Sequence, residues 1–258
     1  MILKGKTVVI TGVGPGMGRA MALGAAREGA AVALCARSEA FLDEVLTEVH
    51  RQGGKGIAIR ANVASTADCE RLIQQTLAVF GRIDGIVNSA YFHPAWRSLG
   101  EAELEDFQRT FDVNCLGALR VVRAALPAMK RQRSGSIVNV STLATRKPVE
   151  GEGAYALAKA ALGQATRQLA VELGQFGIRV NQALMGWMWG VPLQQYFDSI
   201  KDPAAAAAEK QKVISRIPLG RIPADSDCAK AVYFLLSDYS SEMTGAALEV
   251  NGGEWVAP

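Results

Sequence analysis

Short apolar runs rich in β-branched residues alternate along this chain with longer stretches of helical periodicity. The runs are apolar at successive positions, as strands are when helices cover both faces of a sheet. Strand alternating with helix predicts βαβ units, and therefore an α/β fold with a parallel sheet. The predicted strands are residues 7–11, 31–35, 56–63, 86–90, 136–141, 178–184 and 247–250, and the clearest predicted helices are 17–28, 40–52, 69–80 and 154–176.

The domain organisation follows from length and composition. The chain has 258 residues, of which 49% are apolar and 21% are charged, as in ordinary soluble domains. No linker rich in Pro, Gly or Ser divides it, and it has no convincing internal repeat, so we predict one domain over residues 1–258. Residues 187–216 break the alternation, and the alanine run at 204–208 predicts a short helix. We expect this segment to be a mobile substrate lid, with a surface insertion as the alternative.

Charge, cysteines and apolar runs exclude several classes of protein. The net charge is only +3, and the one basic cluster, Lys130, Arg131 and Arg133, is too short to indicate a nucleic-acid partner. The cysteines have no metal-ligand spacing, so we expect buried thiols and no metal. No apolar run is long enough to cross a membrane and the start has no targeting pattern. We therefore expect a cytoplasmic protein without a membrane partner.

A glycine-rich segment follows the first predicted strand and opens the first predicted helix. Glycines at such a turn let the backbone approach a pyrophosphate, and the helix offers its N-terminal amides and dipole to the phosphates. This context predicts dinucleotide binding. The segment has the pattern TGxxxGxG, and its candidate cofactor-binding residues are Thr11, Gly12, Gly16, Met17 and Gly18.

The end of the second predicted strand selects between the two nicotinamide cofactors. An acidic residue there would bind the ribose 2′-hydroxyl of NAD, whereas an arginine would bind the 2′-phosphate of NADP. The chain has no acid at this point and carries Arg37. We therefore expect NADP(H), with NAD(H) as the less favoured cofactor and a surface arginine as the structural alternative.

Tyr155 and Lys159 are four residues apart on a predicted helix, so they lie on one face, one turn apart. An ammonium beside a phenol favours the phenolate and lowers its pKa from the usual value of about 10. Tyr155 could then exchange a proton with a substrate oxygen. A hydroxyl from Ser141 or Thr142, at the end of the fifth predicted strand, could hold the same oxygen, and Asn114 is placed on a helix upstream.

Several motifs in this order resemble the short-chain dehydrogenase/reductase family over nearly the whole chain. They are the glycine-rich segment, the strand end Asn88-Ser89-Ala90-Tyr91, Asn114, the YxxxK pair Tyr155 and Lys159, and the tail at 243–253. The resemblance implies a single-domain Rossmann fold with a seven-stranded parallel sheet and helices on both faces. It also implies NAD(P)-dependent chemistry at a carbon–oxygen bond, and a homotetramer or homodimer.

The resemblance also implies roles for individual residues. Tyr155 would be the general acid/base, Lys159 would bind the nicotinamide ribose, and Asn114 would anchor a water in a proton relay. The remaining cofactor contacts would be Asn62 and Val63 at the adenine, Asn88 and Ala90 along the cofactor, and Gly186 and Met188 near the nicotinamide.

The chain departs from the family pattern at three places. The family's catalytic serine lies thirteen residues before the tyrosine, and that position is Thr142 here, with Ser141 beside it. We assign Thr142 on spacing, and a one-residue shift would select Ser141. Tyr91 replaces a glycine, and the segment 185–190 lacks the proline and threonine of the family's PGxxxT motif, so backbone amides near Trp187 and Met188 would have to serve the carboxamide.

These observations predict an oxidoreductase that interconverts a ketone and a secondary alcohol on an apolar, cyclic or aromatic substrate. The aromatic positions that suggest such a substrate are Tyr91, Phe92, His93, Trp96, Trp187, Trp189 and Tyr196. His93 is disfavoured as the base because Tyr155 fills that role. The alternatives are a 3-oxoacyl thioester reductase, with the basic cluster facing a carrier protein, and a non-catalytic NADP(H) sensor. The enoyl-reductase branch is disfavoured because its lysine would fall at Leu162.

Overall fold

Seven parallel strands form a single sheet in the order β3-β2-β1-β4-β5-β6-β7. The computed structural model describes residues 1–256, and at residue 192 the backbone only. The strands are β1 Thr7–Thr11, β2 Ala31–Ala36, β3 Lys55–Arg60, β4 Gly85–Asn88, β5 Gly135–Thr142, β6 Ile178–Met185 and β7 Ala247–Val250. The prediction of a seven-stranded parallel Rossmann sheet is confirmed.

Helices connect the strands and cover both faces of the sheet. They are α1 Met17–Arg27, α2 Glu39–Arg51, α3 Thr66–Phe80, α4 Leu104–Phe111, α5 Gly117–Gln132, α6 Gly153–Leu173, α7 Val191–Ser199, α8 Pro203–Ile214 and α9 Asp225–Leu236. A π-helical turn, Asp112–Leu116, joins α4 to α5, and a 3₁₀ turn, Leu143–Thr145, follows β5. The sequence predicts a third strand that runs to residue 63, but the strand ends at Arg60. The chain turns there because Asn62 accepts a hydrogen bond from the Ala64 amide at 3.1 Å.

The core lies on both sides of the sheet because alternate strand residues point to opposite faces. In β1, Val8 and Ile10 belong to the apolar cluster that includes residues of α1, α2 and α9, while Val9 belongs to the cluster that includes residues of α3 and α5. All three side chains are fully buried. Burial of such a side chain contributes about 1.5–3 kcal/mol each, so the two-sided covering is a main source of the sheet's stability.

The segment after β6 has a small apolar cluster of its own. Phe197, Val213 and Ile217 are buried together there, and Trp189 stacks on Phe197 with ring centres 5.8 Å apart. The predicted helix at 204–208 is confirmed as part of α8, whose first turn is capped by Asp202 accepting from the Ala204 amide at 3.0 Å. The segment therefore forms a helical unit; its mobility stays a prediction.

The four cysteines are free and buried, as expected. Burial raises the pKa of the Cys35 thiol to about 12, so this thiol stays protonated and unreactive at neutral pH. Over residues 1–256, no helix is both long and apolar enough to span a bilayer. The same part of the chain has no group of three metal-ligating side chains that could hold a metal ion.

Candidate active site

The glycine-rich turn between β1 and α1 is shaped for the close approach of a ligand. A Cβ atom at Gly12 would lie 2.5 Å from the Ala90 backbone, and one at Gly18 would collide with the Gly12 carbonyl. Gly16 has a φ of 101° and caps α1, and Met17 begins the helix, whose first-turn amides lack intrahelical partners. These positions require glycine. The Arg19 amide donates to the Gly14 carbonyl at 3.0 Å, so the amides of Met17 and Gly18 are the ones that suit an anionic pyrophosphate.

The ends of β1, β4 and β5 are joined by buried side chains. Thr11 donates its hydroxyl to the Val87 carbonyl at 3.2 Å and accepts from the Ala90 amide at 3.4 Å. Asn88 donates to the Asn139 side chain at 2.8 Å, while its own Oδ1 atom is buried with no partner among the described residues. A buried acceptor without a donor is costly, so Asn88 suits a ligand hydroxyl at this place.

Arg37 lies beside a cleft of about 440 Å³, together with Arg60, Asn62, Asp68 and Arg71. Asp68 accepts from the Asn62 amide at 2.8 Å and pairs with Arg71 at 2.7 Å, and both contacts lower the pKa of its carboxyl. Arg37 and Arg60 form no ion pair within residues 1–256. The cleft therefore has two uncompensated guanidinium groups.

The sequence reading missed Arg60. Its signal was its place at the last residue of β3, which pairs with Ala36 in the parallel register and so lies next to Arg37. The two predicted adenine contacts lie in different surroundings. Asn62 lines this cleft, whereas Val63 is buried. The Val63 side chain packs on Gly117, where an added Cβ would lie 2.7 Å from it. Val63 can therefore offer a ligand only its backbone.

Lys159 is fully buried on α6 and donates its Nζ to the Val140 carbonyl of β5 at 2.8 Å. It forms no ion pair in the described part of the chain, and burial lowers its pKa to about 8. An ammonium has three donors, so two N–H groups remain for a ligand. We call the predicted catalytic residues Thr142, Tyr155 and Lys159, at the end of β5 and the start of α6, the catalytic wall.

Tyr155 lies one turn before Lys159 and is half-buried. The Lys159 Nζ is 5.9 Å from its ring centre. Burial raises the pKa of Tyr155 above its ordinary value, and the nearby Glu152 and Tyr91 raise it further. The expected lowering of this pKa by Lys159 is therefore not produced by the protein's own groups, because Lys159 is directed at the Val140 carbonyl.

Thr142 and Ser141 differ in what their hydroxyl groups contact. Thr142 is partly exposed, and its Oγ1 accepts from the Ala144 amide at 3.3 Å, which leaves its O–H free to donate. Ser141 is buried, and its Oγ has no partner among the described residues. Adjacent strand residues point to opposite faces, so only one hydroxyl faces the cleft, and exposure favours Thr142.

Asn114 lies in the π-helical turn rather than in a regular helix. Its Nδ2 donates to the Phe92 carbonyl at 2.9 Å, and its Oδ1 accepts from the Phe92 amide at 2.7 Å. Both polar atoms of the Asn114 side-chain amide are thus hydrogen-bonded to the backbone of Phe92. The side chain holds the segment after β4 in place, a role that the sequence reading missed, and it has less capacity left for the predicted water.

Residues 89–103, which we call the aromatic rim, follow β4 and lie against Tyr155. The rings of Tyr91 and His93 have their centres 6.5 and 4.9 Å from that of Tyr155. His93 donates its Nδ1–H to the Pro94 carbonyl at 2.8 Å, and its Nε2 is buried without a partner among the described residues. Tyr91 is 55% exposed, so it presents apolar surface beside Tyr155.

The aromatic rim packs on the start of α6 through two glycines. A Cβ at Gly151 would lie 2.9 Å from the Trp96 ring, and one at Gly153 would lie 2.5 Å from the Leu99 side chain. Trp96 is nevertheless 61% exposed. The close approach fixes the rim relative to Tyr155 while leaving aromatic surface open to a ligand.

The predicted contacts at the start of the lid are only partly available. The Gly186 amide donates to the Val250 carbonyl at 2.9 Å, so it is used in the sheet. Met188 packs against the apolar cluster beneath α1 and α9. The Trp189 amide donates to the Pro223 carbonyl at 2.7 Å, so of these three residues only Met188 keeps an amide without an acceptor in the described chain.

Four groups lie at the carboxyl edge of the parallel sheet, where β1 lies next to β4. They are the glycine-rich turn after β1, which we call the glycine cradle, the Lys159 ammonium, the Tyr155 phenol and the Thr142 hydroxyl. Ligands bind at this edge in open α/β sheets. The fold and the site together define a dinucleotide-binding oxidoreductase.

Comparison with known proteins gives the family. The chain belongs to the short-chain dehydrogenase/reductase family: residues 12–254 match a family model described as enoyl-(acyl carrier protein) reductase. It is 35% identical to L-rhamnose 1-dehydrogenase (NAD(P)(+)) of Sphingomonas sp. (strain SKA58), over 99% of this chain and 98% of the relative. It is 32% identical to a 3-oxoacyl-[acyl-carrier-protein] reductase of Staphylococcus aureus, over 97% and 98%.

A solved structure, NAD⁺-bound xylitol dehydrogenase, superimposes with a TM-score of 0.91 at 28% identity, covering 98% of this chain and all of the other. The protein is thus a family oxidoreductase that acts on alcohol or ketone groups with a nicotinamide cofactor.

Proposed function

We propose that the protein interconverts a ketone and a secondary alcohol, with NADP(H) preferred, on a substrate with an apolar, ring-shaped body. The observation that carries the proposal is the catalytic wall. Lys159 is anchored to the strand that ends in Thr142, and Tyr155 lies between them and the aromatic rim. A phenol, an ammonium and a free hydroxyl donor at one strand end are the groups that proton exchange with a substrate oxygen requires.

In the direction of reduction, Thr142 donates a hydrogen bond to the substrate carbonyl oxygen and polarises it. The bound cofactor supplies the hydride that the carbonyl carbon gains. Tyr155 gives its proton to the same oxygen, and the product is the alcohol. We assign to the Lys159 ammonium, 5.9 Å from the Tyr155 ring centre, the compensation of the phenolate that remains. The protein's own groups alone do not lower the pKa of Tyr155, so this compensation depends on the ligand-bound site.

The residues present fit the cofactor. The glycine cradle and the first turn of α1 would hold the pyrophosphate, Asn88 and the two free N–H groups of Lys159 would hold ribose hydroxyls, and the Met188 amide would hold the carboxamide. The cleft at Arg37 and Arg60 has two guanidinium groups without carboxylate partners. Guanidinium groups pair well with phosphate oxygens, which supports NADP over NAD.

The thioester-reductase alternative is supported by the Staphylococcus aureus relative. The basic cluster does not support it. Lys130 and Arg131 end α5, directly before β5 begins at Gly135, whereas the catalytic wall lies where β5 ends. A strand of this length spans about 25 Å, so the cluster lies at the opposite edge of the sheet from the site that a carrier protein would serve.

The test of the main proposal is the Tyr155→Phe variant, assayed with a panel of cyclic ketones, open-chain ketones and 3-oxoacyl thioesters. We expect turnover to fall by about 10²–10⁴-fold, while NADPH binding, followed by nicotinamide fluorescence, persists. Tyr239→Phe is the control, since that tyrosine is 76% exposed. Full turnover in Tyr155→Phe would refute the mechanism, and binding without turnover of any carbonyl would favour the sensor.

The cofactor preference has a separate test. Arg37→Ser and Arg60→Ser should each weaken NADPH binding by about ten-fold, as expected for one charged hydrogen bond, with NADH binding unchanged. Arg131→Ser, in the distant cluster, should change neither. If wild type binds NADH as tightly as NADPH, the assignment of this cleft to a 2′-phosphate is wrong.

A further inference from the structure

The segment that follows Thr142 is one hydrogen-bonded turn. The Thr145 hydroxyl donates to the Thr142 carbonyl at 2.8 Å. The amides of Arg146 and Lys147 both donate to the Leu143 carbonyl, at 2.8 and 2.9 Å. Each residue from 142 to 147 is therefore tied to another within the turn, and a displacement at its far end moves Thr142 as well.

The two basic residues at the end of this turn are each paired with a carboxylate near the C-terminus. Lys147 contacts Glu254 at 3.0 Å, and Arg146 contacts Glu249 at 3.5 Å. Arg146 also lies over the Trp255 ring, 5.5 Å from its centre. Glu249 is in β7, and Glu254 and Trp255 belong to the segment 251–256, which we call the C-terminal tail.

Stability alone is a poor explanation for the Lys147–Glu254 pair. The Glu254 side chain is only 4% exposed, and its Oε2 atom has no partner among the described residues. The cost of taking a carboxylate out of water often exceeds what one ion pair returns. The burial of this carboxylate is therefore not explained by the stability of the pair, which points to a positional role.

The C-terminal tail is also attached to both ends of the lid segment. A Cβ at Gly186, before the lid, would lie 2.8 Å from the Asn251 side chain, and the Leu219 amide, after the lid, donates to the Gly252 carbonyl at 3.1 Å. Gly252 has a φ of 66°, and a Cβ there would lie 2.5 Å from Ile217. The tail thus contacts the lid ends and the turn after Thr142 at once.

We propose that Glu254 is a positioning residue: by holding Lys147 it fixes the turn that sets the Thr142 hydroxyl, and it links that hydroxyl to the lid. The proposal rests on the proposed catalytic role of Thr142. Glu254 touches no reacting atom. Its effect passes through Lys147 and the backbone of the turn.

The experiment compares Lys147→Met, Glu254→Gln and the double variant in the full-length protein, with kcat for ketone reduction as the readout. Each single change should lower kcat by about five- to ten-fold, because a small misplacement of a reacting group costs rate steeply. The double variant should be no slower than either single one. NADPH affinity should stay within about two-fold, and Lys147→Arg, which keeps the pair, should retain kcat.

A control pair exists in Lys6 and Asp238, which also join distant segments, at 2.7 Å on the amino side of the sheet, with Asp238 exposed where Glu254 is buried. Lys6→Met and Asp238→Asn should leave kcat unchanged. Thermal unfolding of each variant establishes that it is folded at the assay temperature. Unchanged kcat in folded Glu254→Gln would overturn the proposal.

The Thr142→Val background separates this proposal from the function it rests on. If Glu254 acts through Thr142, then Glu254→Gln should cause no further loss of kcat in that background. An equal loss in both backgrounds would overturn the positioning role while leaving the proposed function intact. Full kcat in Thr142→Val alone would instead refute the role of Thr142, and this proposal with it.

Discussion

The catalytic wall and the aromatic rim border the same tyrosine but are held by different interactions. On the wall, Lys159 and Thr142 are fixed by hydrogen bonds to backbone atoms of β5 and its following turn. On the rim, one amide, that of Asn114, holds the backbone, and the side chains of Trp96 and Leu99 pack on Gly151 and Gly153 around the start of α6. The wall thus holds polar groups in fixed positions, whereas the rim provides an apolar surface of defined shape.

This difference predicts different consequences of mutation. A substitution in the catalytic wall should lower the rate for every substrate, because it removes a group that we propose acts on the reacting oxygen itself. A fault in the rim should change which substrates are accepted, since apolar shape mainly discriminates between substrate bodies. Substitutions matched between the two regions can therefore test whether rate and selectivity are separated in this way.

The largest effect is expected at Thr142. Thr142→Val keeps the shape of the side chain but removes the hydroxyl, and it should lower kcat by about 100-fold on all substrates, as loss of one oxyanion donor does. The measurement is steady-state reduction of two ketones that differ in body but not in the carbonyl. Thr142→Ser should retain most activity. If Ser141→Ala proves the more damaging change, the catalytic hydroxyl is Ser141.

The second prediction concerns the stability cost of the wall. Lys159 has a pKa of about 8 in the folded protein and about 10.5 when unfolded, so the unfolded chain binds more protons between these values and stability rises with pH there. At pH 7 the buried charge opposes folding. Lys159→Met should raise the free energy of unfolding by about 2 kcal/mol, after allowing for the lost Val140 hydrogen bond.

Urea unfolding at pH 7 and pH 9.5 measures this effect. The difference in the free energy of unfolding between Lys159→Met and wild type should be smaller at pH 9.5, because wild type has lost the buried charge at that pH. Lys130→Met, on the distant surface, is the control and should show no such dependence. If the variant exceeds wild type in the free energy of unfolding by the same amount at both pH values, burial of the charge does not limit stability.

The smallest effect is expected at the rim. Gly153→Val would place atoms against Leu99 and should displace the rim, so the ratio of kcat/KM between a bulky and a small ketone should change by about ten-fold. Gly174→Val, where nothing lies within 4 Å of an added Cβ, serves as the control. An equal loss for both ketones would show that the rim affects rate, and the division between the two regions would fail.

The sequence predicted those parts of the site that depend on local pattern. The strand–glycine–helix order around Gly12 and the four-residue spacing of Tyr155 and Lys159 are short-range features, and the structure has them at one sheet edge. The pairing of Asn114 with Phe92 and that of Lys147 with Glu254 join residues 22 and 107 positions apart. No short-range pattern encodes such contacts, because they follow from how the elements pack.

The Tyr155 pKa illustrates the same limit. The i, i+4 spacing suggests that an ammonium lowers it, and the structure shows that burial raises it. The sign depends on where the Lys159 side chain points, and that is set by the Val140 carbonyl of another element. Arg60 was missed for a related reason, since its closeness to Arg37 follows from strand register rather than from spacing.

The strand order has a consequence for how the protein is made. β1, β2 and β3 pair with one another and lie within the first 60 residues, so a chain emerging amino end first can assemble the half of the sheet that carries the glycine cradle early. β6 and β7, together with the tail, emerge last. During synthesis, the glycine cradle can therefore form before the residues of the catalytic wall have emerged.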